Sequence, residues 1–201
     1  MRARIGLALS LVAVLGGCGS SSKAPSPATG DYVGKIPGGT ASVAVVVGRA
    51  NVVAYVCDWR HGVAELFTGS RSGDRLALHG RRGSELTATV AGKRVDGSFT
   101  ATGKAHRVAF GATATKPPSG FYRARGRVRG KRATFGWVVL PDGEQRGAAT
   151  VGSTVVAAPA LNTSTSTATV AGGGSVSAIR ISSGTLSRAG FSGGGFSGFG
   201  G

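Results

Sequence analysis

Between residues 30 and 158 the chain repeats one unit: a short run of β-branched and apolar residues, then a glycine-bearing turn. The runs occupy residues 32–35, 41–47, 51–57, 63–68, 75–79, 85–90, 95–100, 105–111, 121–129, 132–140 and 144–151. Between them lie turns such as Val47-Gly48-Arg49, Ser72-Gly73-Asp74, Ala91-Gly92-Lys93, Arg129-Gly130-Lys131 and Pro141-Asp142-Gly143-Glu144. The runs are short, and Val, Ile and Thr are stiff at χ1 and pack well on a pleated surface, so extended backbone is favoured. In the last of these turns proline presets one dihedral and glycine accepts a positive φ. Strands at roughly 8–12-residue intervals predict an all-β fold, an antiparallel meander of consecutive hairpins. A small barrel is favoured over a sandwich, because closure leaves no unpaired edge.

Alternation nominates the core. Val43, Val45 and Val47 share one face of a strand, and Val53, Tyr55 and Cys57 share one face of the next. Leu76 with Leu78, Leu86 with Ala88 and Val90, and Phe135 with Trp137 and Val139 continue the pattern. Ala44 and Val46 are apolar as well. That strand is therefore expected to be buried on both sides, as in a barrel wall packed by something outside it or in a central sandwich strand.

From Pro159 the composition changes. Residues 162–169 are almost pure Ser, Thr and Ala, residues 175–181 read as one further strand, and residues 190–201 are Gly, Ser and Phe only. Residues 159–201 are expected to be a low-complexity tail, mostly disordered, because so little apolar surface cannot offset chain entropy. A flexible linker and an O-glycosylated stalk are the two readings of the Ser/Thr run.

At the other end, Arg2 and Arg4 precede an apolar run over residues 5–15, followed by Leu15-Gly16-Gly17-Cys18. The run is shorter than the about 20 residues that a bilayer span needs. This pattern resembles the lipobox of bacterial lipoproteins. The resemblance implies a signal peptide over residues 1–17 and a diacylglyceryl group on Cys18, with the chain lipid-anchored at the extracytoplasmic face of the cell membrane. Residues 18–29 are small, polar and interrupted by proline, and read as a flexible tether. A plain secretory signal and an uncleaved anchor are the alternatives. Cys57 is then a lone free thiol, which in an exported protein is buried, reactive or intermolecular.

Further segments carry a second resemblance. Ala54-Tyr55-Val56-Cys57-Asp58, Ser72-Gly73-Asp74-Arg75-Leu76, Gly120-Phe121-Tyr122-Arg123-Ala124 and the stretch from Gly136 to Gly147 are similar to a group of uncharacterised exported proteins of actinobacteria. It covers about residues 30–160. It implies export, and supplies no catalytic residues.

Charge points to partners. The formal net charge is +16, and Arg outnumbers Lys eighteen to six. Such a balance favours anionic lipid head groups or wall polymers, and export argues against nucleic acid. Arg123, Arg125, Arg127 and Arg129 alternate with Tyr122, Ala124, Gly126 and Val128. On a strand the four guanidinium groups line one face, and Lys131 and Arg132 extend the cluster. Arginine matches phosphate and carboxylate bidentately, so the six residues form the candidate anion-binding set. The plain alternative is a solvated outer face.

Catalytic patterns are weak. Cys57-Asp58-Trp59-Arg60-His61 packs a thiol, a carboxylate and an imidazole together, but an extended strand separates Cys57 from His61 by about 13 Å. A buried cysteine followed by a polar loop is the expected arrangement. His61, His79 and His106 lack metal-ligand spacing, and Glu65, Glu85 and Asp96 form no recognisable pair. No catalytic residue, metal or cofactor is expected. The composite expectation is a non-enzymatic envelope lipoprotein binding an anionic or amphiphilic component through a basic β face. The alternatives are a carrier of an apolar ligand inside the barrel, or an envelope enzyme using Cys57 or an unrecognised carboxylate pair.

Overall fold

The computed structural model describes residues 28–188. Its first eight strands are β1 (Gly30–Lys35), β2 (Ser42–Val47), β3 (Asn51–Asp58), β4 (Val63–Ser72), β5 (Arg75–His79), β6 (Glu85–Ala91), β7 (Arg94–Thr100) and β8 (Val108–Ala114). Each pairs antiparallel with the next, and β1 pairs with β8, so the sheet closes into a barrel. The alternation explains the closure. Val43, Val45, Val47, Val52, Ala54 and Val56 point inward with Leu76, Leu78, Leu86, Val90 and Val95. Phe67 lies 6.3 Å from Phe99 and Phe99 lies 6.5 Å from Phe110, so aromatic rings fill the lumen. An eight-stranded barrel has an interior of about the width that side chains can fill.

The meander does not stay in one sheet. β9 (Gly120–Val128), β10 (Lys131–Val139), β11 (Gln145–Val151), β12 (Thr154–Ala157) and β15 (Ile179–Ile181) form a second sheet in the order β12-β11-β10-β9-β15. The break falls at Pro117-Pro118, two residues without a backbone N–H to continue a ladder. The second sheet packs on the outside of β1–β3. Phe121, Val138, Leu140 and Ala148 meet Val33, Ala44, Val46, Val53, Tyr55 and Cys57 there. This is the outside packing expected from the doubly apolar β2. Tyr55 stacks on Phe121 with centroids 4.8 Å apart, and its hydroxyl donates to the Ala148 carbonyl at 3.3 Å. Gly136 leaves room for the Tyr55 ring, which any Cβ at that position would overlap.

The expected boundary at residue 158 is corrected by the structure. β13 (Thr167–Thr169) and β14 (Ser175–Ser177) form a hairpin that covers the far face of the second sheet. Leu161, Ala168, Val170, Val176 and Ala178 bury Tyr122, Phe135 and Trp137. Gln145 fastens the segment through two bonds to the backbone of Leu161, and Trp137 Nε1 donates to the Pro159 carbonyl at 2.8 Å. The chain then straps the barrel. Arg180 pairs with Asp31 at 2.8 Å, the backbone N–H of Ser183 donates to Asp31 at 2.7 Å, and Leu186 of α1 (Ser183–Arg188) is buried beside Gly48. Residues 159–188 are part of the fold, while residues 189–201 of the expected tail lie outside the described residues.

Candidate functional site

The register of β9 sets the arginine row. Arg123, Arg125 and Arg127 share the barrel-facing side of the strand with Phe121, while Tyr122, Ala124 and Gly126 lie under the β13–β14 hairpin. β10 places Gly136 opposite Arg123, Thr134 opposite Arg125 and Arg132 opposite Arg127. Two expected members lie elsewhere. Arg129 leaves the ladder in the β9–β10 turn, at φ 48° beside Gly130 at φ 77°. Lys131 pairs with Val128, so its side chain belongs to the opposite face. Of the six residues, Arg123, Arg125, Arg127 and Arg132 form the face.

The row grades from core to solvent. Phe121 is buried, Arg123 is half-buried, and Arg125, Arg127 and Arg132 are exposed. Burial, then Arg125 and Arg81, push the pKa of Arg123 below the ordinary guanidinium value, against an opposing pull from Tyr55. Arg81 stands in the short helical turn Arg81–Gly83 after β5, so a barrel residue adds to the field of the sheet. Arg127 Nη1 donates to the Gly130 carbonyl at 2.8 Å, which steadies the outermost member. Like charges directly opposite, as at Arg127 and Arg132, destabilise a ladder, and a bound anion relieves that cost.

Most acids of the fold are engaged with other groups. Asp31 holds Arg180, Asp74 lies 3.6 Å from Arg71, Asp96 holds Arg94, and Asp142 and Glu144 hold Lys35. Glu144 also holds Arg146. Glu65 accepts from the Thr102 backbone N–H at 2.9 Å.

The Cys57–His61 segment forms a different constellation. After β3 a helical turn, Trp59–His61, brings the imidazole back to Asp58, with Nδ1 2.6 Å from Oδ2. Thr40 donates to the other carboxylate oxygen at 2.9 Å. Burial raises the Asp58 pKa, but the bonds from His61 and Thr40 outweigh it and hold the carboxyl below its ordinary value. The imidazole therefore serves the carboxylate and not the sulfur. Cys57 Sγ instead lies 3.5 Å from the Arg146 carbonyl oxygen. Burial, then the charge of Asp58, push the thiol up to about 12.

Thr40, Cys57, Asp58, Trp59 and Arg146 line a cleft of about 250 Å³ between the barrel rim and β11–β12. A shallow groove of about 410 Å³ crosses the outer face of β4–β6 beside Ser70, Arg75, Thr87 and Thr89. Among the described residues no three His, Cys, Asp or Glu side chains gather as a metal site. No helix among them is long and apolar enough to cross a membrane.

The thiol's state makes an expected result. In a Cys18→Ser chain at neutral pH, maleimide should label Cys57 only after denaturation, because the thiolate is the nucleophile and burial suppresses it. Mass spectrometry of the labelled chain reads this directly. Fast labelling of the folded chain would restore Cys57 as a candidate nucleophile.

No family model matches the chain, and neither a curated protein nor a solved structure matches it.

Proposed function

We propose that the chain is an envelope lipoprotein, anchored through Cys18 at the extracytoplasmic face of the cell membrane, whose β domain binds an anionic envelope component through the arginine face of β9 and β10. The binding is non-catalytic. The anchor rests on the lipobox resemblance, and Cys18 lies outside the described residues. The observation that carries the binding reading is the exposed set Arg125, Arg127 and Arg132, aligned on one face by the strand register. Folding tolerates this repulsion where other stabilisation exceeds it, and the stacked Tyr55–Phe121 contact beneath supplies such support.

The buried, protonated thiol of Cys57 supports a role without nucleophilic chemistry. A carrier role is compatible with a small antiparallel barrel, but Phe67, Phe99 and Phe110 occupy the lumen, which favours the surface.

The test is co-sedimentation of the full chain from residue 18, carrying Cys18→Ser, with purified cell wall across a salt series. Salt-sensitive binding is expected. Replacing Arg125, Arg127 and Arg132 by Ser should weaken it at least about tenfold, taking about 1 kcal/mol for each basic residue at an anionic surface. Equal binding by the two chains would remove the arginine face as the working surface.

A further inference from the structure

We infer that the barrel end bearing the β2–β3, β4–β5 and β6–β7 turns is a docking surface for the anionic head groups of the bilayer that holds the anchor. The inference deepens the anchor reading and rests on it. Arg71 is drawn into the barrel mouth, its side chain only 4% exposed. It donates to the Ala28 carbonyl at 2.6 Å and twice to the Gly73 carbonyl, at 2.9 and 2.7 Å. The entry of the chain into the fold is thereby fastened to the β4–β5 turn. The other turns gather at the same end. Gly30 pairs with Val47 at the β2–β3 turn, Tyr32 donates to the Gly92 carbonyl at 3.1 Å, and the Ala114 N–H donates to the Lys93 carbonyl at 2.8 Å.

This end is basic. Arg49, Arg75, Lys93 and Lys116 are exposed there. Its acids are Asp31, held by Arg180 at 2.8 Å, Asp74, beside Arg71, and Asp96, held by Arg94 at 2.7 Å.

Length supplies the second constraint. Ala28 lies ten residues after Cys18, and ten residues span at most about 35 Å. The turn end is the part of the fold that enters the bilayer's field first. That field decays within a Debye length of about 8 Å at physiological salt, so cations at the near end feel it and those a strand length away do not. Arg81 and the arginine face beside it lie towards the opposite rim. The two basic surfaces therefore divide the work: the turn end meets lipid, and the arginine face stays open to a polymer beyond it.

The experiment uses the full chain from residue 18 with Cys18→Ser, so that no acyl chain contributes. Vesicles of phosphatidylcholine alone and of phosphatidylcholine with phosphatidylglycerol are the probes. Salt-sensitive binding is expected only to the anionic vesicles. A variant with Arg49→Ser, Arg75→Ser and Lys93→Ser should lose it at least about tenfold. A variant with Arg49→Lys and Arg75→Lys should bind like the parent, which separates charge from folding. Arg125→Ser with Arg127→Ser and Arg132→Ser should weaken vesicle binding less than the turn variant does. The inference is overturned if the parent ignores anionic vesicles, if the turn variant binds like the parent, or if the arginine-face variant loses as much. The anchor is read separately, as release of the chain from cell membranes by Cys18→Ser. Retention there would end the anchor reading while leaving the vesicle result interpretable.

Discussion

Ending the chain after Ala158 is expected to abolish cooperative folding of the second sheet. The deletion removes Leu161, Ala168, Val170, Val176 and Ala178 from over Tyr122, Phe135 and Trp137. It also removes β15 from the edge of β9, the Arg180 pair with Asp31, and Leu186 from its place beside Gly48. Burial of each large aliphatic side chain contributes about 1.5–3 kcal/mol, and the aromatic side chains left bare lose comparable amounts. A domain of this size is stable by only about 5–15 kcal/mol, so the sum reaches the whole stability. Tryptophan emission should shift to the red, because Trp137 is 1% exposed in the complete fold. The urea transition should broaden or vanish. A chain ended after Arg188 is the control and should melt like the full protein. An unchanged midpoint after truncation at 158 would show that the covering layer is peripheral.

Gly34→Val is the second large effect, expected to cost at least about 3 kcal/mol, beyond the usual range for overpacking. The barrel closes along a short seam, with Tyr32 opposite Ala114 and Val33 opposite Thr113. One residue further, β1 passes directly over β8. A Cβ on Gly34 would overlap the Gly111 carbonyl oxygen and crowd the Ala112 backbone. These are backbone atoms, so no rotamer change relieves the clash, and the seam must part. Opening it exposes unpaired strand edges, which invite association. The expected readouts are a lower urea midpoint and growth of oligomers by size exclusion. Gly39→Val is the matched control: the nearest atom to its Cβ would be 3.9 Å away and the position is exposed, so the change should be nearly neutral. Equal effects at the two positions would remove the close approach as the cause.

The strands were legible because their signal is local. Alternation in Arg75 to His79 and in Leu86 to Val90 reports which face is buried whatever lies across from it. The arginine face was legible for the same reason as far as Arg127. Its end was not. A type of turn, not a residue count, decides where a strand stops, so Arg129 fell into the turn and Lys131 onto the other face. The covering hairpin was obscured by its side chains. Thr167-Ala168-Thr169-Val170 does alternate, and Gly172-Gly173-Gly174 supplies the turn, but alanine buries too little surface to announce a strand against a Ser/Thr background.

By itself, then, the sequence determined the strand class, most turns of the barrel and the buried face of strands such as β5 and β6, since these depend on neighbours a few residues apart, while the strand expected over residues 105–111 lies at Val108–Ala114. Only the tertiary structure decided that eight strands close while the next ones leave to form a second sheet. The same holds for Asp31 catching Arg180 and for Ala168 and Val176 joining the core that covers the second sheet. Those outcomes depend on which surfaces remain uncovered once the barrel has closed, and a local pattern does not contain that information.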